Sequence, residues 1–185
     1  MVHGRDGQVV VVDATNGEIV WKIKGQGTRG QDPSIGGTTV YLGGLSLMAR
    51  RLEQGDFLWE EETLASGDST VGWGSPAADG DSVVAVDGYE AHRFSTLAKS
   101  RHPSTEWMEP LDNRGTGISA PAVAGSTVWV PESDNGLIRV VHKATGRRLF
   151  PVKMQREGTY RLASNAHRVF VTRGGRIMAM PVFGE

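Results

Sequence analysis

The chain has 185 residues, 38% hydrophobic and 22% charged, with 25 glycines, eight prolines, no cysteine and a formal net charge of −1. This composition is too apolar for a disordered chain, and the missing thiol excludes a disulfide scaffold, a cysteine nucleophile and thiolate metal sites. The apolar residues come in short runs such as Val9-Val10-Val11-Val12, never the eighteen or so that a transmembrane helix needs, so no membrane insertion is expected.

The near-zero net charge hides an asymmetry. Residues 1–92 carry six Lys/Arg against fourteen Asp/Glu, a net of −8, and residues 93–185 carry fourteen against seven, a net of +7. Such charges are ordinarily spread over solvated faces; the sharper reading is that the two ends attract oppositely charged surfaces. The opening residues Met1-Val2-His3-Gly4-Arg5-Asp6-Gly7 contain no basic stretch followed by an apolar one. No signal peptide is recognisable, and the chain is expected to be either cytosolic or a piece of a longer protein.

In chain order, residues 6–21 predict a Gly turn, an apolar strand, an Asp13-Ala14-Thr15-Asn16-Gly17 turn and a second strand ending at Trp21. Pro33 to Leu42 predicts two more strands around Gly36-Gly37. Residues 53–59 repeat the end of the first unit, with Gly55 in the place of Gly17 and Trp59 in the place of Trp21. Ser75 to Ala85 repeats the Pro33 segment, with an Asp79-Gly80 hairpin turn. A degraded copy closes at Trp107. Ala120 to Val130 is the third Pro-led copy, and residues 142–150 repeat the turn and strand with Gly146 and Phe150; Leu162 to Val171 is a weaker last copy.

The aromatics at 21, 59, 107 and 150 are spaced by 38, 48 and 43 residues, and the prolines at 33, 76 and 121 by 43 and 45. Four short strands in about 43 residues is the signature of one propeller blade. No window sustains a helical period; the best, Leu45 to Leu52, is short and interrupted. The fold class read from the sequence is therefore all-β.

Asp13-Ala14-Thr15-Asn16-Gly17-Glu18-Ile19-Val20-Trp21 resembles the tryptophan-docking motif of the quinoprotein-like, or PQQ-repeat, β-propellers, with Asn16 where that family usually has Thr. The Ser-Pro-Ala and Gly-x-x-Val-Tyr-like elements look like its first and second strands. The resemblance implies a propeller of about four four-stranded antiparallel blades, an incomplete ring. The blades fall roughly at 1–24 (partial), 31–62, 73–108, 118–153 and 159–185 (partial), in one propeller segment over 1–185. It further implies that Trp21, Trp59, Trp107 and Phe150 pack between neighbouring blades and that Gly17, Gly55 and Gly146 take positive φ in the turns.

Rings of this type usually have seven or eight blades. About half that number leaves two apolar blade faces to be covered: by the rest of a longer chain, by a second copy, or by tightening into a small closed ring.

Motifs with chemical potential were weighed in turn. Gly25-Gln26-Gly27-Thr28-Arg29-Gly30 matches a dinucleotide fingerprint in letters but leads into a strand where a helix is required. Asp79-Gly80-Asp81-Ser82 and Asp112-Asn113 are too few oxygen ligands for a Ca²⁺ loop. The histidines at 3, 92, 102, 142 and 167 show no zinc spacing, although loops of different blades can converge, and His142 reads as a turn residue. Gly117-Ile118-Ser119-Ala120-Pro121 departs from a nucleophile elbow. Glu60-Glu61-Glu62 reads as a solvated loop, and Arg139, Lys143, Arg147 and Arg148 as the polar face of a hairpin, too thinly interleaved with aromatics for nucleic acid.

Enzymes of the quinoprotein resemblance hold pyrroloquinoline quinone with paired cysteines, an Asp and Ca²⁺, and this chain has no cysteine. No catalytic, cofactor-binding or metal-binding residue is assigned, and no cofactor. The expected function is a non-catalytic binding or scaffold module of a larger bacterial protein. Its partner would be a protein, or a second copy meeting the exposed blade faces, with no nucleic acid. The alternative is a quinoprotein dehydrogenase fragment or another enzyme with a site at the propeller axis. The resemblance extends to outer-membrane-assembly lipoprotein propellers and to sensor domains of bacterial membrane-bound kinases, which would place the parent protein outside the cytoplasm.

Overall fold

The computed structural model describes residues 2–3, 8–24, 31–63, 72–96, 101–112, 120–132, 136–154, 160–165 and 167–182. Among these residues every regular element is a strand, eighteen in all, arranged as five antiparallel sheets in which each strand pairs with its neighbour in sequence. No helix among them is long and apolar enough to cross a membrane.

The first sheet has three strands, β1 (Val2–His3), β2 (Val9–Val12) and β3 (Ile19–Ile23). The second has four: β4 (Ser34–Gly36), β5 (Thr39–Leu42), β6 (Ser46–Arg51) and β7 (Phe57–Glu62). The third is β8 (Ala77–Asp79), β9 (Ser82–Val86), β10 (Glu90–Ser95) and β11 (Ser104–Pro110). The fourth is β12 (Ala122–Ala124), β13 (Thr127–Glu132), β14 (Leu137–His142) and β15 (Arg148–Lys153). The fifth has three strands, β16 (Arg161–Ser164), β17 (Arg168–Arg173) and β18 (Arg176–Pro181). The first strands of successive sheets, β4, β8, β12 and β16, pack against one another, so the sheets radiate from a shared axis as propeller blades.

Each pair of neighbouring sheets encloses one apolar core. Val9, Val11, Trp21, Val40, Leu42 and Met48 fill the first joint, and Tyr41, Leu47, Ala49, Trp59, Trp73, Val83, Ala85 and Phe94 the second. Val84, Val86, Ala91, Trp107, Val128, Val130 and Val141 fill the third, and Trp129, Ile138, Val140, Met154, Tyr160, Val169 and Val171 lie in the fourth. This explains why β9 reads Ser-Val-Val-Ala-Val without polar alternation: Val83 and Ala85 serve one joint, Val84 and Val86 the next, and all are buried.

A register shift recurs where the third strand meets the fourth: at Val11/Val12, Ala49/Arg50, Arg93/Phe94 and Val140/Val141. The residue before each shift pairs with Trp21, Trp59, Trp107 and Phe150 respectively. The four aromatics thus occupy one equivalent position, and the bulge re-aims that side chain toward the next blade.

Two sequence expectations are corrected. Glu60, Glu61 and Glu62 are not a loop: they close β7, where they pair with Met48, Leu47 and Ser46, and Glu60 accepts a hydrogen bond from Ser46 Oγ. A charge run on a half-exposed outermost strand resembles a loop in composition alone. Arg139 is not on an open polar face: it is 7% exposed and ion-paired. The Gly25–Gly30 and Gly117–Ser119 motifs lie outside the described residues.

Candidate functional site

Of the seven residues expected to dock the blades, two pairs meet across joints. Trp21 Nε1 donates to Leu52 O at 2.7 Å, and a Cβ placed on Gly55, at φ +74°, would come within 2.8 Å of the Trp21 ring. Trp107 repeats the contact one joint further on: Nε1 donates to Lys143 O at 2.7 Å, and a Cβ on Gly146, at φ +68°, would approach its ring to 2.9 Å. The structure therefore brings together Trp21 with Gly55 and Trp107 with Gly146. Trp59, 1% exposed, is tilted against Tyr41 and Phe94 with centroids 6.0 and 6.2 Å away. Phe150 meets Trp129 edge-on at 6.2 Å. Gly17 has the same turn conformation, φ +77°, and no described atom lies within 4 Å of its Cβ position.

Both outer sheets are open. On β3, Ile19 is 60% and Val20 46% exposed, and on β18, Ile177 is 72% and Met178 47% exposed. A cleft of about 790 Å³ lies between β15 and the last sheet, lined by Met154, Tyr160, Met178 and Met180 together with the cations Lys153, Arg173 and Arg176.

At the axis, β4, β8, β12 and β16 line a channel of about 280 Å³ with Pro, Ala and Ser side chains, and Asp32 is the one titratable residue of its wall. Serines stitch the blades across it: Ser34 Oγ accepts from Ala78 N (3.0 Å), Ser75 Oγ from Asp32 N (2.8 Å), and Ser164 Oγ donates to Val123 O (2.6 Å). These residues do not fit pyrroloquinoline quinone and its Ca²⁺, for the described wall offers one carboxylate, Asp32, with the Gln31 amide oxygen accepting from Ser75 Oγ beside it, and no sulfur.

Charged groups bind the third sheet to the fourth. Arg139 Nε donates to Glu132 Oε1 and its Nη2 to Asp112 Oδ2, both at 2.6 Å. Burial pushes the Arg139 guanidinium down, but Glu132 and Asp112 outweigh it and hold it above its ordinary value; Arg139 in turn holds the Asp112 carboxyl below the usual carboxylate range. Arg93 pairs with Glu106 at 2.6 Å and donates to Lys143 O at 2.6 Å, beside Trp107.

A family model described as outer membrane protein assembly factor BamB matches residues 1–149. The chain belongs to the BamB family. Among solved structures, BamB from Moraxella catarrhalis superposes with a TM-score of 0.71 at 16% identity, covering 96% of this chain and 53% of that one. The Cps50 (Swd1) β-propeller domain of Myceliophteria thermophila gives 0.72 at 13% identity, covering 97% and 62%. A computationally designed protein, Ika4, gives 0.59 at 15% identity, covering 82% and 89%. No curated protein matches. At these identities the likeness is one of fold, and the chain spans about half the length of the M. catarrhalis protein. The all-β PQQ-repeat propeller implied by the docking motif is thus the fold and family found.

Sequence reasoning missed one cluster in this BamB-family propeller. Asp87, Glu90 and His92 converge at the β9–β10 hairpin, with their ligand atoms within 4.8 Å of one another. The histidines show no zinc spacing among themselves; the signal lay in Asp-x-x-Glu-x-His across a predicted hairpin. His142, as read, sits at a turn, with Nδ1 3.1 Å from Thr145 Oγ1.

Proposed function

We propose that the chain is a non-catalytic scaffold: an arc of a PQQ-repeat propeller whose open blade faces take further blades of the same repeat, and whose completed ring holds a protein partner. The observation that carries this reading is Gly17. It has the conformation of Gly55 and Gly146, each of which seats the indole of a preceding blade, yet no described atom fills its own seat. The occupant that fits is an outer strand bearing Trp at the docking position. Exposed Ile19 and Val20 flank that seat, and exposed Ile177 and Met178 present the complementary end. The opposite net charges of the two halves favour such an end-to-end contact. The small-residue wall of the axial channel supports the non-catalytic side. The BamB description brings with it, as part of the proposal, a role in assembling other proteins.

The test is sedimentation and anilinonaphthalene-sulfonate fluorescence on the purified chain. We expect dye binding or concentration-dependent self-association, both reduced in an Ile19→Glu, Ile177→Glu variant with an unchanged circular dichroism spectrum. A monomer that binds no dye would mean that the faces are closed and overturns the proposal. Turnover of an alcohol or aldose with added pyrroloquinoline quinone, Ca²⁺ and a dye acceptor would overturn the non-catalytic part.

A further inference from the structure

The hairpin between β9 and β10 holds three side chains for which the scaffold reading has no use. Asp87 is 1% and His92 4% exposed. His92 Nε2 stands 3.6 Å from Asp87 Oδ2 and 3.6 Å from Glu90 Oε2, and among the described residues it has no hydrogen-bond partner. Those separations are too long for hydrogen bonds, and a buried ring nitrogen left unsatisfied is costly.

The neighbouring blade shows the same position satisfied differently. His92 pairs across the ladder with Ala85 as Arg139 pairs with Val130, which aligns Asp87 with Glu132. There a permanent cation closes on the acid at 2.6 Å. Here the two groups stand an ångström further apart, with a second carboxylate on the other side.

Asp87 is prepared as an anion. Its Oδ1 accepts from the amides of Tyr89 (3.0 Å) and Glu90 (2.9 Å), which leaves Oδ2 facing His92. Burial pushes its carboxyl up, but the imidazole and the two amides outweigh that and hold it below the usual range. An ionised carboxylate this deeply buried needs a cation beside it. The imidazole is itself held in place, stacked on Phe94 (5.5 Å, 9°) and edge-on to Trp73 (5.0 Å).

Bonds of about 2.0–2.2 Å to one tetrahedral ion set its ligand atoms about 3.3–3.6 Å apart; His92 Nε2 stands 3.6 Å from each carboxylate, and all three atoms lie within 4.8 Å of one another. An imidazole nitrogen in the set favours a zinc-class ion over Ca²⁺ or Mg²⁺, which take oxygen. We propose that Asp87, Glu90 and His92 bind a divalent transition-metal cation of the zinc class, with the fourth position open beside the partly exposed Glu90. The site ties the loop of one blade to its third strand.

The experiment is titration of the metal-free full chain with ZnCl₂, followed by calorimetry and by elemental analysis after dialysis, with CoCl₂ as a spectroscopic probe of coordination. We expect one Zn²⁺ per chain and an intense visible Co²⁺ band of low coordination number. Affinity should fall by more than the ~10–100-fold that loss of an outer-shell partner causes, in both His92→Gln and Glu90→Gln. Glu90→Gln keeps the test alive if the buried substitution fails to fold, and the exposed His102→Asn should leave binding unchanged. Absence of Zn²⁺ binding, binding undiminished in Glu90→Gln, or loss of binding in His102→Asn overturns the proposal. So does protonation of His92 in the wild type that proceeds identically with and without Zn²⁺, since a plain ion pair would then account for the cluster.

Discussion

In two of the joints an indole rests on a glycine of the next blade, and the contact and the glycine's turn contribute separable effects. Gly146 and Gly17 share a turn conformation, at φ +68° and +77°, but a Cβ on Gly146 meets Trp107 at 2.9 Å whereas one on Gly17 meets no described atom. Gly17→Ala should therefore cost only the left-handed backbone, about 1–2 kcal/mol. Gly146→Ala should cost more, because the indole must also move. Equal shifts of the urea midpoint would mean that the Trp107 contact contributes nothing. Trp59→Ala, which empties a site 1% exposed between Tyr41 and Phe94, should cost roughly 3–5 kcal/mol. A midpoint near that of the wild type would remove Trp59 from the docking set.

Asp112 gives the pH dependence of the same joint. Its folded-state carboxyl is depressed by Arg139, so its contribution is fully present above the unfolded value of about 3.9 and is lost as pH falls through the lower folded value. The stability difference between wild type and Asp112→Asn should be constant from pH 5 to 7 and shrink below pH 4. A difference that grows on acidification would reverse this assignment.

Among the elements, legibility followed burial on two faces and the punctuation between them. Gly17, Gly55 and Gly146 were readable because a positive-φ turn admits few other residues, and Trp21, Trp59 and Phe150 because each follows such a glycine by four places. Trp73 was not: it sits outside the repeated turn, yet it is 1% exposed and packs on His92. β1 escaped because two residues carry no period. The charge run of β7 looked like loop because period 2 fades on an outermost strand that faces water. The hairpin cluster was hidden because Asp87 lies in the hairpin loop and Glu90 and His92 on the strand after it, and no letter pattern shows that the loop folds its carboxylate back beside them. Element burial yields a further expectation. Val84 sits in the middle of a strand buried on both faces, so Val84→Asp should abolish cooperative unfolding, whereas Ile177→Lys on the exposed β18 should stay within about 0.5 kcal/mol of wild type. Comparable melting curves for the two would contradict the burial asymmetry.

The whole molecule behaves as a one-dimensional array in which each blade is stabilised chiefly by its neighbours. The three inner sheets have a joint on both sides; the first and the last have one. An arc should therefore open from its ends, and amide exchange should follow a gradient. β2, β3, β17 and β18 should exchange at lower free energy than β9, β10, β13 and β14, because local opening of an end sheet breaks one apolar core and opening of an inner sheet breaks two. Peptide-level hydrogen exchange at native pH reads this directly. Adding blades that cover Gly17 and β18 should raise end-sheet protection toward that of the centre while leaving the centre unchanged. Uniform protection in the isolated chain at micromolar concentration would instead mean that the ends already cover one another. The dilution series would separate the two ways of doing so: protection lost on dilution belongs to association between copies, and protection that persists belongs to closure within a single chain.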